Sequence, residues 1–290
     1  MRMSLAAFSL LSLFVAHDAF AQNANTKVGA VEEADMDQLE QQFMQATRKL
    51  YRQNGRGTFD FVCTATAFER EGKKYRFLSA AHCVAEDDKE RKIVVVETAH
   101  WAIAFTQPNG ELFVPAKVVV AGFQHRLDDF LVLEVEYDKN IPLMPLAPND
   151  PHTGEIISNI AAPNNLGRCL FRGLVSEEKV NRSIEVSNDD LDWRGTAIVD
   201  VNVAGGSSGS AIVSRRQKGI IAVLIGSHSG HPMAFVIPIS RFKKFWADYK
   251  AGKYKWYSPD NDDVVIMKKR PKKNKQKIGE IDTADYRITE

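Results

Sequence analysis

Cysteine is scarce in this chain: three residues among 290, and no pair with the C-x-x-C spacing. That shortage argues against a structural zinc site built on paired thiolates. A surplus of charge of one sign is lacking too, because 38 Lys and Arg face 37 Asp and Glu for a net charge of +1. No global field therefore draws the protein toward nucleic acid or an acidic surface. Glycine (18) and proline (11) are too few for a collagen-like or disordered chain. No apolar run reaches the roughly 20 residues a spanning helix needs. No internal repeat is visible beyond two similar β-rich halves. A composition of 44% apolar and 26% charged residues is that of a globular protein with a sizeable core.

The longest apolar run, "LAAFSLLSLFVA", follows Arg2 and precedes Ala19-Phe20-Ala21, a positive start, apolar centre and small-x-small ending. This pattern predicts an export signal over residues 1–21, cleaved after Ala21, with no membrane span left afterwards and a secreted or periplasmic destination. Export lets a disulfide persist. Cys63 and Cys83 flank one continuous patterned region while Cys169 stands alone, so a Cys63–Cys83 bridge is expected.

Between Val31 and Arg52, Met36, Leu39, Phe43, Ala46 and Leu50 recur near helical spacing, with acids early and bases late, which predicts a helix within an N-terminal segment or pro-segment over residues 22–57. From Thr58 the signal changes to short β-branched and aromatic runs such as "TFDFVCTATAF" and "FLVLEV", the pattern of antiparallel strands. A cluster of proline, asparagine and glycine near residues 140–153 divides the β region into two halves within a domain spanning 58–250. "SRFKKFWADYK" then places Phe242, Phe245, Trp246 and Tyr249 on one helical face with Ser240 as the candidate cap. Residues 251–290 are dominated by charge and read as a solvated tail, whose "KKRPKKNKQK" run attracts phosphate without sequence selectivity.

The stretch "GGSSGSAIV" sets two serines among three glycines ahead of an apolar run. A serine hydroxyl attacks only when a base takes its proton, a third group orients the base, and N–H donors await the oxyanion. His82, beside Cys83 at the end of an apolar run, is the candidate base. Asp128 and Asp129 both precede the strand-like "FLVLEV" and both are candidates for the orienting acid. The serine pair is also open: a G-x-S-x-G reading from Gly205 to Gly209 selects Ser207, but it needs a strand–turn–helix context where strand-like flanks stand.

Three motifs in order carry a family resemblance. "SAAHC" resembles the histidine motif of chymotrypsin-like serine peptidases, "DFLVLEV" their acid strand, and "GSSGS" their G-x-S-G-[G/S] nucleophile loop. The resemblance implies an all-β fold of two six-stranded antiparallel barrels, flanked here by an N-terminal and a C-terminal helix. It implies a His82–Asp129–Ser208 triad, an oxyanion hole made by the N–H groups of Gly206 and Ser208, a protein or peptide substrate, and no cofactor or metal. Ser207 replaces the aspartate that digestive members pair with a freed N-terminus, so that activation switch is not expected. "IGSHSG" resembles the G-x-H element of glutamyl endopeptidases, which implies that His228 contacts a substrate Glu or Gln. Asn202, near the pocket base by family-like counting, disfavours Lys or Arg. The competing reading is a catalytically silent binding protein on the same fold.

Overall fold

A computed structural model of the chain describes residues 36–54, 56–87, 93–96, 100–122, 128–181, 193–227, 233–254 and 264–267. The β-branched and aromatic runs form strands, and twelve of them close into two barrels. The first barrel comprises β1 (Thr47–Gln53), β2 (Phe59–Glu71), β3 (Lys74–Ser79), β6 (Trp101–Gln107), β7 (Gly110–Ala121) and β8 (Leu131–Glu136), in the order β1-β2-β3-β8-β7-β6. The second comprises β9 (Ile156–Ala161), β10 (Cys169–Glu177), β11 (Ala197–Asp200), β12 (Ala211–Ser214), β13 (Gly219–Ser227) and β14 (Ala234–Pro238), in the order β10-β11-β14-β13-β12-β9. All pairings within both barrels are antiparallel. Closure removes the unpaired edges that an open sheet would expose.

Period-two alternation sends Leu50, Phe77, Ile103, Leu131 and Leu133 into the first core and Ile157, Val199, Ile212, Ile221 and Val236 into the second, all fully buried. Each such side chain contributes about 1.5–3 kcal/mol by leaving water. The helix α1 (Gln38–Ala46) packs beside them through Phe43 and Ala46. It ends sooner than the apolar spacing predicts. The spacing predicts a helix as far as Arg52, but residues 47–53 form β1, so the barrel begins at Thr47 rather than Thr58. A bulge between Leu50 and Tyr51 leaves Thr47, Leu50 and Tyr51 buried, and that three-then-four spacing imitates a helical face.

The closing helix α2 (Ile239–Lys250) buries Phe242, Phe245 and Trp246 as its pattern requires. Phe242 meets Phe68 of β2 edge-on at 5.2 Å and Phe130 at 5.4 Å between ring centroids, so α2 crosses back onto the first barrel. Ser240 is not its cap. The helix starts from Pro238, and Asp150 takes the end instead, accepting from both the Ser240 N–H (2.7 Å) and its hydroxyl (2.6 Å).

A smaller sheet follows the histidine motif, formed by β4 (Ala85–Asp87), β5 (Ile93–Val96) and β15 (Val264–Met267). β15 pairs parallel to β5, so these four residues of the expected tail take part in a sheet. Among the described residues no helix is long and apolar enough to cross a membrane. The signal segment, most of the tail and His228 lie outside the described residues.

Candidate active site

The histidine motif forms the corner where β3 ends. Ser79 closes the strand, and Ala81–Cys83 makes one 3₁₀ turn that presents His82, partly exposed, beside the buried Cys83. Cys83 is bonded to Cys63 of β2, across a Cα separation of 6.1 Å, as the cysteine pattern predicts. The sulfur and imidazole ligand atoms of Cys63, Cys83 and His82 lie within 4.8 Å of one another, but the disulfide leaves no thiolate to bind a metal.

Asp129, at the threshold of β8, is fully buried. Its carboxylate faces His82 with both oxygens: Oδ1 accepts from the His82 backbone N–H at 2.9 Å and Oδ2 lies 2.6 Å from Nδ1. A buried carboxylate in this position requires the proton on Nδ1, which leaves Nε2 as the basic nitrogen. Phe130, next in sequence, is held by Phe242 and Phe245 of α2, so the closing helix helps to fix the acid's place. Of the two adjacent aspartates, Asp129 is the one joined to His82.

The serine loop lies between β11 and β12. Ser207 is buried, and it exchanges two hydrogen bonds with Ala204: its N–H donates to the Ala204 carbonyl (2.9 Å), and its hydroxyl accepts from the Ala204 N–H (3.2 Å). Ser208 is only partly buried. Its carbonyl accepts from the Thr64 N–H at 3.0 Å, and Thr64 adjoins Cys63. One short path thus runs from His82 through Cys83, the disulfide and Thr64 to Ser208. Gly209 presses against the same corner: a Cβ there would sit 2.1 Å from Ser79 Oγ and 2.7 Å from the Ala80 nitrogen.

The loop's N–H groups divide into two sets. Those of Ser207, Gly209 and Ser210 donate to the carbonyls of Ala204, Leu224 and Ser207, whereas those of Gly206 and Ser208 have no acceptor among the described residues. A pair of uncommitted donors flanking a partly exposed serine can receive a developing oxyanion. At the far end of the loop, Asn159 of β9 donates through Nδ2 to Ser210 Oγ (2.8 Å) and to the Ala211 carbonyl (2.9 Å).

The chain matches the model of the trypsin-like peptidase domain over residues 63–223. It belongs to that family. Two more distant similarities agree. The rat (Rattus norvegicus) serine protease HTR4 is 25% identical over 145 residues, which span 49% of this chain and 28% of that protein. The crystal structure of the serine endoprotease from Yersinia pestis superposes with a TM-score of 0.51 and 20% identity, covering 73% of this chain and 65% of the other, a likeness of fold. The match to the rat protein thus spans less than a third of that protein's length. Membership of the trypsin-like peptidase family makes the chain a peptidase-fold protein with peptide substrates as the family's class.

Asn202 follows β11 and is exposed. Three contributors escape the motifs. Thr64, Asn159 and Asn164 tie the serine loop to its surroundings, Asn164 by donating its N–H to the Gly205 carbonyl at 2.7 Å. Asn164 and Asn165 adopt φ of 50° and 59°, and the Pro-Asn-Asn triplet carried a turn signal that could have marked them.

Proposed function

We propose that the chain is an exported serine endopeptidase that hydrolyses peptide bonds through an acyl-enzyme. Ser208 attacks the carbonyl carbon while His82 Nε2 takes the hydroxyl proton. Asp129 holds the ring in the required tautomer and stabilises its cation. The N–H groups of Gly206 and Ser208 receive the oxyanion. His82 next donates its proton to the departing amine, and water repeats the sequence to release the acid. The double contact of Asp129 with His82 is the observation that supports this reading most, because a buried carboxylate spent on one imidazole serves base catalysis better than packing. The disulfide supports export, since such bonds persist in oxidising compartments.

The proposal extends to specificity: a substrate Glu or Gln immediately before the cleaved bond takes a hydrogen bond from His228, while uncharged Asn202 offers Lys or Arg no counter-charge. The test is a proteome-derived peptide library incubated with mature protein, with cleaved bonds read by mass spectrometry. Wild type should cleave after Glu or Gln, Ser208→Ala should lose at least about 10³-fold in turnover, Asp129→Asn about 10⁴-fold, and Ser207→Ala should stay active. His228→Ala should lower kcat/KM for Glu and Gln substrates by about 10- to 100-fold and leave others alone. An inert wild type would favour a silent binding protein, and cleavage after Lys or Arg would overturn the specificity alone.

A further inference from the structure

The serine loop depends on Gly206, whose φ of 86° belongs to the region that favours glycine. Glycine imposes little preference on the peptide planes at either side of it. Their orientation must be set by neighbouring groups: the preceding plane carries the Gly206 N–H itself, and the following plane, whose own N–H is that of Ser207, links Gly206 to the residue before Ser208 and so sets the angle between the two N–H groups meant for the oxyanion. On one side, the Asn164 N–H holds the Gly205 carbonyl at 2.7 Å, which turns the Gly206 N–H the opposite way. On the other, the Gly206 carbonyl accepts a hydrogen bond from the side chain of Thr64 at 2.9 Å.

Thr64 is fully buried and every polar atom it owns is engaged. Its N–H donates to the Ser208 carbonyl, and its own carbonyl accepts from Ser79 Oγ at 2.7 Å. Its hydroxyl accepts from the Ala162 N–H at 3.1 Å, an N–H that can only donate. The hydroxyl proton is therefore left for the Gly206 carbonyl, and the direction of that bond is set. Thr64 lies in the first barrel, whereas Ala162 and Gly206 lie in the second. One side chain joins the β9 exit to the oxyanion loop across the barrel interface.

We propose that the Thr64 hydroxyl is a positioning residue for the oxyanion hole, locking the Gly206–Ser207 peptide so that the Gly206 and Ser208 N–H groups face the reacting carbonyl. This rests on the peptidase reading and adds a residue to its machinery. Loss of the hydroxyl leaves the Gly206–Ser207 peptide held by the Ser207 N–H bond to Ala204 alone, which loosens the angle between the two donors, lowers transition-state stabilisation and leaves the basicity of His82 unchanged.

The test is the second-order rate of inactivation by a fluorophosphonate, whose phosphoryl oxygen occupies the oxyanion position, measured from pH 5.5 to 9 on full-length protein. Thr64→Val, nearly the same shape without the hydroxyl, should lower the plateau rate about 10- to 100-fold with the pH midpoint unchanged. Thr64→Ser should recover to within about threefold of wild type. Measurements well below the unfolding midpoint separate positioning from stability: a plateau that returns to wild type on cooling overturns the proposal. So does a Thr64→Val rate within twofold of wild type, or a Thr64→Ser as slow as Thr64→Val. Should Thr64→Val not accumulate as folded protein, Thr64→Ala, smaller in the same space, carries the same expected loss. A wild type that is not labelled at Ser208 overturns the peptidase reading itself, and the brace with it.

Discussion

Single residues at the serine loop are constrained more by what surrounds them than by their own chemistry. Gly206 and Gly209 both hold positive φ, but a Cβ at Gly206 meets chiefly the Phe61 ring, at 2.1 Å, whereas one at Gly209 meets the Thr64 carbonyl oxygen at 2.6 Å and the Ala80 nitrogen at 2.7 Å. A ring can swing away; the backbone of β2 and of the turn that follows β3 cannot. Gly209→Ala should therefore cost the more, about 1–2 kcal/mol for left-handed backbone plus about 1–3 kcal/mol for overpacking. Gly206→Ala should approach the backbone part alone. Urea unfolding of the two variants checks the order, and equal losses would mean that the Ser79–Ala80 corner yields as easily as the ring. The choice of Ser208 over Ser207 has the same character: both are serines in glycine-rich surroundings, and in the fold Ser207 is the one buried and bonded to Ala204 while Ser208 is partly exposed.

Elements are held by a few bonds placed between strands and helices distant in sequence. The Cys63–Cys83 bridge ties β2 to the histidine turn over 20 residues, so its reduction should lower stability by about 2–4 kcal/mol. Denaturant titration with and without reductant, on a Cys169→Ser background, measures it; an unchanged midpoint would show that the barrel carries the turn unaided. The helix α1 is docked by a buried carboxylate. Glu40 accepts from Ser158 of β9 at 2.7 Å and from Arg172 of β10 at 2.6 and 2.9 Å, with Arg215 at 3.5 Å. Burial pushes the Glu40 carboxyl up, but the bonds from Arg172 and Ser158 and the two guanidinium charges outweigh it and hold it below its ordinary 4.5. A depressed folded value means that the ion adds stability above about pH 4.5, and that this stability is lost as pH falls through the folded value. Glu40→Gln should accordingly cost about 1.5–3 kcal/mol at pH 7, with the gap to wild type closing in acid. A gap independent of pH from 7 to 3 would show that packing, not charge, docks α1.

The two barrels share one framework. The connecting segment is stitched to both: the Met144 N–H donates to the Ala67 carbonyl of β2 at 2.9 Å, while Pro145 and Ala147 exchange backbone bonds of 2.8 and 2.9 Å with Ile220 of β13. The helix α2 starts from the second barrel and packs on the first. Unfolding should thus be one cooperative transition, with calorimetric and van't Hoff enthalpies equal and far- and near-ultraviolet signals coincident. Two resolved transitions would mean that each barrel stands alone.

How much of this is legible in the linear chain follows from the range over which each signal acts. Strand alternation, the α2 stripe of Phe242, Phe245 and Trp246, and the three motifs are local patterns, and they sufficed for two β halves, a closing helix and the candidates His82, Asp129 and Ser208. The end of α1 was not readable, because a bulged strand and a helix bury the same spacing, and only pairing with β2 and β6 selects the strand at Thr47–Gln53. Nor does a sequence distinguish Thr64 from any other strand threonine. Its weight comes from Ala162 and Gly206, 98 and 142 residues away, which barrel closure alone brings to its hydroxyl. Hydrogen bonds act over about 3 Å, and residues so far apart in the chain meet at that distance only once both barrels have closed.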